Sequence, residues 1–111
     1  NILEEAAGLA ALMDKDFRQE TLRVTREGRA FLTRELGELG FTVYPSQANF
    51  IMVAPPKGIA AASLYTALLE RGIIIRQLKS GYDLPDFLRI TIGTHEENIC
   101  LTQTVKEILH A

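Results

Sequence analysis

The sequence has 111 residues, of which 47% are apolar and 23% are charged, proportions typical of one soluble globular domain with an adequate core. The net charge is −2 and no basic patch occurs, which argues against nucleic acid as a partner. The apolar runs are too short to span a membrane, and the first residues lack the basic and apolar segments of a signal peptide. A single cysteine excludes an internal disulfide framework and favours a reducing, cytoplasmic compartment.

Helix-forming residues dominate the first third of the sequence. Residues 1–13 are rich in alanine and leucine, and the polar residues 14–16 predict a break after them. Asp16 can then cap a long helix over residues 17–39, and Gly40 lies where a glycine cap ends such a helix. The residues expected on the inner face recur near the helical period. They are Val24, Gly28, Phe31, Leu32, Leu36 and Leu39.

Two short β-prone segments follow, at residues 41–44 and 49–53, and we expect them to pair in antiparallel fashion across the break that contains Pro45. A second helix is predicted over residues 60–71. An isoleucine-rich strand at residues 73–76 follows it, and its β-branched composition indicates burial on both faces.

The last third of the sequence predicts one more strand and one more helix. A connection over residues 78–87 precedes the strand at residues 88–92. Thr94 and Glu97 then have the spacing of a capping box, which begins a helix over residues 95–109. The element order α-β-β-α-β-β-α predicts an α+β domain in which a small, mostly antiparallel sheet has helices packed largely on one face.

The strand at residues 88–92 carries a candidate binding residue. Leu88 and Ile90 alternate with Arg89, so the apolar side chains should face the core and Arg89 the opposite side of the sheet. A guanidinium group can donate two parallel hydrogen bonds to a carboxylate or a phosphate. Arg76, thirteen positions upstream, is the second candidate. Alternation by itself favours a simpler interpretation, a solvated arginine on the outer face of an antiparallel sheet.

No group of residues within the sequence forms a recognisable catalytic or metal site. His95 and His110 lack the spacing of zinc ligands, and Cys100 is predicted to lie in a helix rather than beside a catalytic base. The lysines occupy polar loops or helix surfaces, which do not suit Schiff-base chemistry. They are Lys15, Lys57, Lys79 and Lys106. The residues therefore offer the two arginines as a candidate anion-binding pair and indicate no catalytic group.

Four motifs occur in an order and spacing that is specific when they are taken together. They are Pro45-Ser46-Gln47-Ala48-Asn49-Phe50-Ile51, Gly72-Ile73-Ile74-Ile75-Arg76, Leu84-Pro85-Asp86-Phe87-Leu88-Arg89-Ile90-Thr91-Ile92-Gly93-Thr94 and Glu96-Glu97-Asn98. Together they resemble the C-terminal small domain of the histidinol-phosphate aminotransferases, pyridoxal-phosphate (PLP) enzymes of the aspartate-aminotransferase fold. The resemblance covers essentially the whole chain.

This resemblance implies roles for both arginines. Arg89 would bind the α-carboxylate of an anionic amino-acid substrate, and Arg76 would hold the substrate phosphate. The implied reaction is amino transfer between histidinol phosphate and 2-oxoglutarate in histidine biosynthesis, carried out by a homodimer. Residues 1–111 would form the small, substrate-binding domain, whereas PLP and its Schiff-base lysine would lie in a preceding large domain. These 111 residues alone are therefore expected to be inactive.

Two residues depart from the pattern of that family. Gln77 follows Arg76 where proline is common, and Asp83 replaces the usual glycine after Tyr82. Both departures bear on the loop between the arginines and hence on phosphate specificity. Two alternatives stay open beside this assignment: a related aromatic aminotransferase or phospho-amino-acid decarboxylase, and a stand-alone, non-catalytic interaction domain.

Overall fold

The computed structural model describes residues 2–44, 48–78 and 86–110, with side chains described from residue 15 onward. The α+β class and the predicted element order are confirmed within these ranges. The elements are α1 (Ile2–Glu38), β1 (Thr42–Tyr44), β2 (Phe50–Ala54), α2 (Ala61–Glu70), β3 (Arg76–Leu78), β4 (Phe87–Thr91) and α3 (His95–Leu109). Of the predicted connections, residues 45–47 and 79–85 lie outside the described residues.

Helix α1 is continuous over 37 residues, so the predicted break at residues 14–16 is wrong. Aspartate in a helix interior costs at most about 0.7 kcal/mol relative to alanine, and no glycine or proline occupies these positions. The C-terminus of α1 lies where it was predicted. Gly40 has a φ of 97°, and the Phe41 N–H donates to the Leu36 carbonyl at 3.0 Å, the Schellman pattern that glycine favours.

The four strands form one antiparallel sheet in the order β1-β2-β4-β3. The expected pairing of the first two strands is confirmed, with Val43 opposite Val53. Strand β4 pairs with β2 on one side and with β3 on the other. Side chains on β4 are therefore held by a backbone that is hydrogen-bonded along both edges.

Strand β3 differs from its prediction. The predicted strand covers residues 73–76, whereas the observed strand begins at Arg76 and lies at the edge of the sheet. Ile75 is buried but Ile74 is 80% exposed, so the predicted burial on both faces is wrong. An isoleucine run fits a two-sided strand only where both sides are covered, and here the helices cover one side.

The hydrophobic core lies between the three helices and one face of the sheet. Alternate residues of the two central strands point into this core, among them Ile51 and Leu88. The helices contribute Leu32, Leu36, Leu64, Leu68, Leu101 and Val105. Val24, predicted to face the core, is instead exposed at the rim of the groove between α1 and α3. The placement of helices on one face is confirmed.

The opposite face of the sheet is called here the outer face. Its side chains alternate with those of the core and, apart from buried Ala54 at the end of β2, those described are half-buried or exposed. They include Tyr44, Phe50, Met52, Phe87 and Arg89. This face combines aromatic rings with a cationic group, which distinguishes it from the aliphatic core.

Helix α3 begins at the predicted capping box. The Thr94 hydroxyl accepts from the Glu97 N–H at 3.2 Å, and the Glu97 carboxylate accepts from the Thr94 N–H at 2.9 Å. The hydrogen bond from the Thr94 N–H to the carboxylate, and after it the interaction of that carboxylate with the Thr94 side chain, hold the pKa of Glu97 below its ordinary value. Buried Asn98 also joins the helix to Gly93, accepting from its N–H at 3.0 Å and donating to its carbonyl at 3.2 Å.

Helix α1 approaches the end of β4 closely at Gly28. A β-carbon at this position would lie 2.6 Å from Cγ2 of Ile92 and 2.9 Å from Nδ2 of Asn98. The absence of a side chain therefore permits the contact. As a result, α1 and α3 together fix the strand that carries Arg89.

Candidate functional site

The structure brings the two sequence-predicted arginines together. Arg76 on β3 and Arg89 on β4 are Cα partners in the antiparallel ladder. Side chains of directly opposed residues project from the same face of a sheet, so both belong to the outer face. Both line an open cleft of about 580 Å³. The other lining residues are Tyr65, Ile74, Ile75, Gln77 and Thr91.

The charges around this pair are unbalanced. Like charges directly opposite each other across a ladder destabilise it. Among the described residues, no carboxylate oxygen lies within 4.0 Å of a guanidinium nitrogen of Arg76 or Arg89, so neither arginine forms an ion pair there. Arg76 is exposed and Arg89 is half-buried, so both can reach a ligand. The arrangement therefore favours an anion, which would relieve the repulsion and accept several charge-assisted hydrogen bonds.

Arg89 has a specific aromatic neighbour on the outer face. Its Cζ atom lies 4.0 Å from the centre of the Phe50 ring, within the range of a cation–π contact. The phenyl ring has no oxygen or nitrogen acceptor, so this contact takes up none of the guanidinium N–H donors in conventional hydrogen bonds. Phe50 thus contacts the candidate binding residue without competing for its hydrogen bonds.

Sequence reasoning did not identify the contact of Phe50 with Arg89. Alternation places each residue on a face of its own strand, but it does not specify which strands become neighbours. In the structure, Phe50 is opposite Thr91 and Met52 is opposite Arg89. The ring is therefore the diagonal neighbour of the guanidinium, a relation that only the register of β2 and β4 reveals.

The other chemically distinctive residues do not join the cleft. His95 packs its ring against Phe31 with centroids 5.4 Å apart, and Cys100 is exposed on α3. Lys57 is exposed, whereas Lys106 extends its Nζ to 3.7 Å from a carboxylate oxygen of Glu35. Lys79, Tyr82 and Asp83 lie outside the described residues.

The Schiff base of a PLP enzyme needs a lysine. Among the described residues, none of those that line the cleft is a lysine. No group of three or more histidine, cysteine, aspartate or glutamate side chains among the described residues is arranged to hold a metal ion. None of the helices in these ranges has the length and apolar character needed to cross a membrane. The arrangement supports anion binding by the arginine pair.

Comparison with known proteins finds relatives that match most of this chain. A histidinol-phosphate aminotransferase from Oleidesulfovibrio alaskensis is 55% identical over 111 residues, which cover 98% of this chain and 29% of that protein. A crystal structure of the histidinol-phosphate aminotransferase from Clostridium acetobutylicum matches with a TM-score of 0.76 and 28% identity, over 86% of this chain and 29% of that one. A decarboxylase structure from Sulfurospirillum multivorans matches with a TM-score of 0.65 and 36% identity, over 75% and 24%.

The chain therefore spans less than a third of the length of these relatives. A family model described as aminotransferase class I and II matches residues 3–103, a range that includes every strand and both arginines. Members of that family are transferases that depend in general on PLP and act on small-molecule substrates. From this match and the shared fold, the chain belongs to the class I and II aminotransferases.

Proposed function

We propose that this chain is the C-terminal, substrate-binding domain of a PLP-dependent histidinol-phosphate aminotransferase. The observation that carries the proposal is the opposition of Arg76 and Arg89 on one face of the sheet, with no carboxylate partner among the described residues. The similarity to proteins of that name over nearly the whole chain supports the choice of substrate. In the proposed enzyme the domain binds and orients the substrate anions during histidine biosynthesis.

The two arginines have different roles in this proposal. Arg89, half-buried on an interior strand, holds the α-carboxylate of glutamate through two parallel hydrogen bonds. Arg76, exposed on the edge strand, holds the phosphate of histidinol phosphate. Fixing these anions at two points orients the amino group of the substrate and removes much of the entropic cost of reaching a reactive geometry.

The remaining parts of the reaction belong to the rest of the proposed enzyme. PLP, when bound there, supplies the electron sink for amino transfer. Residues of this chain bind the substrate, hold its orientation and exclude water from the cleft. A homodimeric assembly and a cytoplasmic location remain predictions.

The Arg89→Lys substitution in the full-length protein tests the role of Arg89. An ammonium group cannot reproduce the paired hydrogen bonds of a guanidinium, so kcat/KM for glutamate should fall by about 10- to 100-fold, mainly through KM. Steady-state kinetics with purified protein and added PLP measure the effect.

Arg71→Lys is the matched control for this substitution. Arg71 is exposed at the end of α2, where its Nη1 donates to the Ala67 carbonyl at 3.0 Å, and it does not line the cleft. Its replacement should leave the kinetics unchanged. An Arg89→Lys variant with wild-type kcat/KM for glutamate would refute the assigned role.

The similarity to a decarboxylase structure favours decarboxylation as one alternative reaction on the same fold. The arginine pair would suit a phosphorylated amino acid as the substrate of that reaction. The two reactions are distinguished by their products. The proposed enzyme consumes 2-oxoglutarate and releases no carbon dioxide, whereas a decarboxylase releases carbon dioxide and needs no oxo acid. Assays of both products on one preparation therefore decide between them. Assays of the same preparation with aromatic amino acids as amino donors test the second alternative, an aromatic aminotransferase.

A further inference from the structure

We infer that Phe50 is a positioning residue that sets the orientation of the Arg89 guanidinium group in the cleft. The inference rests on the proposed function, because it assigns Phe50 a role in the binding that Arg89 carries out. It extends that proposal to a residue that has no polar atom in its side chain.

The positions of the two side chains follow from the sheet. Phe50 begins β2, Arg89 lies in the middle of β4, and the register places Thr91 opposite Phe50. Phe50 and Arg89 are therefore diagonal neighbours on the outer face, close enough for long and aromatic side chains to meet. The distance of 4.0 Å from Cζ to the ring centre shows that they do.

Among the residues that the structure describes, no polar contact determines how the guanidinium group of Arg89 is oriented. No hydrogen bond or ion pair to this group is found among the described residues. Arg76, directly opposite, repels it. The quadrupole of the Phe50 ring attracts the cation, and contact with the ring restricts the rotamers that the long arginine side chain can adopt. Ordering a flexible side chain on binding costs conformational entropy. Because contact with the ring already restricts Arg89, part of this cost is removed before an anion binds.

The backbone around Phe50 is itself well fixed. The preceding residue, Asn49, accepts a hydrogen bond on its carbonyl from the Ile92 N–H at 2.8 Å. One position earlier, the carbonyl of Ala48 accepts from Nη2 of Arg29 at 2.6 Å. The start of β2 is thus tied both to the end of β4 and to α1. The ring therefore offers the guanidinium a surface in a defined place.

The Phe50→Leu substitution in the full-length protein removes the aromatic face and keeps an apolar side chain. We expect KM for glutamate to rise by about 3- to 30-fold, the factor that corresponds to the binding energy of one cation–π contact, with kcat little changed. Phe50→Tyr keeps the ring and should restore the wild-type KM. Should the leucine variant fail to fold, Phe50→Met supplies a second side chain without a ring.

Phe87→Leu is the matched control. Phe87 is a half-buried residue of the outer face, but its ring packs against Tyr44 with centroids 5.2 Å apart. Its replacement should lower thermal stability without changing KM for glutamate. An equal rise in KM for the Phe50 and Phe87 variants would identify a general packing effect and overturn the inference.

A double-mutant cycle with Arg89→Met separates this inference from the proposed function. Without the guanidinium, Phe50→Leu should change KM by less than about twofold, because the coupled partner is already gone. If Phe50→Leu still raises KM for glutamate in the Arg89→Met background, the positioning role of Phe50 is overturned and the proposed function is not. Wild-type kinetics in both Arg89 variants would instead overturn the proposed function.

Discussion

Arg76 and Arg89 face each other across the β3–β4 ladder, an arrangement that costs stability unless a ligand or solvent offsets the repulsion. The two residues differ in their surroundings. Arg89 is half-buried and has an aromatic neighbour at 4.0 Å, whereas Arg76 is exposed on the edge strand. A fixed, partly dehydrated guanidinium suits the small α-carboxylate group, and a more mobile one suits the larger phosphate. This difference leads to a prediction for Arg76.

The Arg76→Gln substitution should weaken the binding of histidinol phosphate more than that of glutamate. Loss of one charged hydrogen-bond donor predicts a rise of about 5- to 30-fold in KM for histidinol phosphate, with less than a twofold change for glutamate. The rise should be smaller at high salt, because Arg76 is exposed and its charge is screened. Parallel kinetics with both substrates measure the effect, and equal rises in the two KM values would contradict separate roles.

At the scale of the elements, the local patterns with a specific hydrogen-bonding mechanism agree with the structure, whereas a break inferred from weak propensity and a strand placed by its composition do not. The capping box that begins α3 and the glycine cap at Gly40 that ends α1 are local patterns, and both are confirmed. The break at residues 14–16 is wrong because a weak propensity does not end a helix. The isoleucine strand is wrong in position and burial because its place at the sheet edge depends on residues far away in the sequence.

The candidate site is likewise predictable only in part. The outward orientation of Arg89 follows from alternation within β4, and the structure agrees with it. Its opposition to Arg76 depends on the register between two strands, and its contact with Phe50 depends on the register between two others. Neither register has a signature in the local pattern of either strand. The motifs implied roles for both arginines through family resemblance, but they assigned none to Phe50, although it belongs to the first motif.

The capping box predicts a pH dependence of stability that belongs to α3. The pKa of Glu97 is lowered in the folded state by the Thr94 backbone and hydroxyl groups. A carboxylate with a lowered pKa stabilises the fold above its unfolded-state pKa, and this stabilisation is lost as the pH falls through the folded-state pKa. The loss in free energy of unfolding caused by Glu97→Gln should therefore be largest near neutral pH and shrink in acid.

Urea denaturation followed by circular dichroism, at several pH values between about 7 and 2.5, measures this difference across the range in which carboxylates titrate. Glu96→Gln is the control, since Glu96 lies in the same first turn of α3 but outside the capping box. Both substitutions remove one negative charge, so a difference between them reports the charge-assisted hydrogen bond that the Glu97 carboxylate accepts from the Thr94 N–H. If Glu97→Gln lowers the free energy of unfolding by the same amount at every pH, the stabilisation assigned to the ionised Glu97 carboxylate is contradicted.

At the scale of the whole molecule, the chain is elongated, with dimensions of 64 × 30 × 24 Å. Much of the length comes from α1, whose 37 residues span about 55 Å at the standard helical rise. This helix exposes Phe17 and Leu22, and the sheet exposes the aromatic and cationic outer face. In the proposed enzyme, the remainder of the protein, with its PLP, lies over the outer face and closes the cleft around the substrate.

A crystal structure of the full-length protein with PLP and glutamate tests the central claim most directly. The account predicts that the α-carboxylate of glutamate accepts two hydrogen bonds from Arg89, with the guanidinium still stacked on Phe50 and Arg76 at the same cleft. It would be contradicted by a glutamate carboxylate bound to other residues while Arg89 faces solvent.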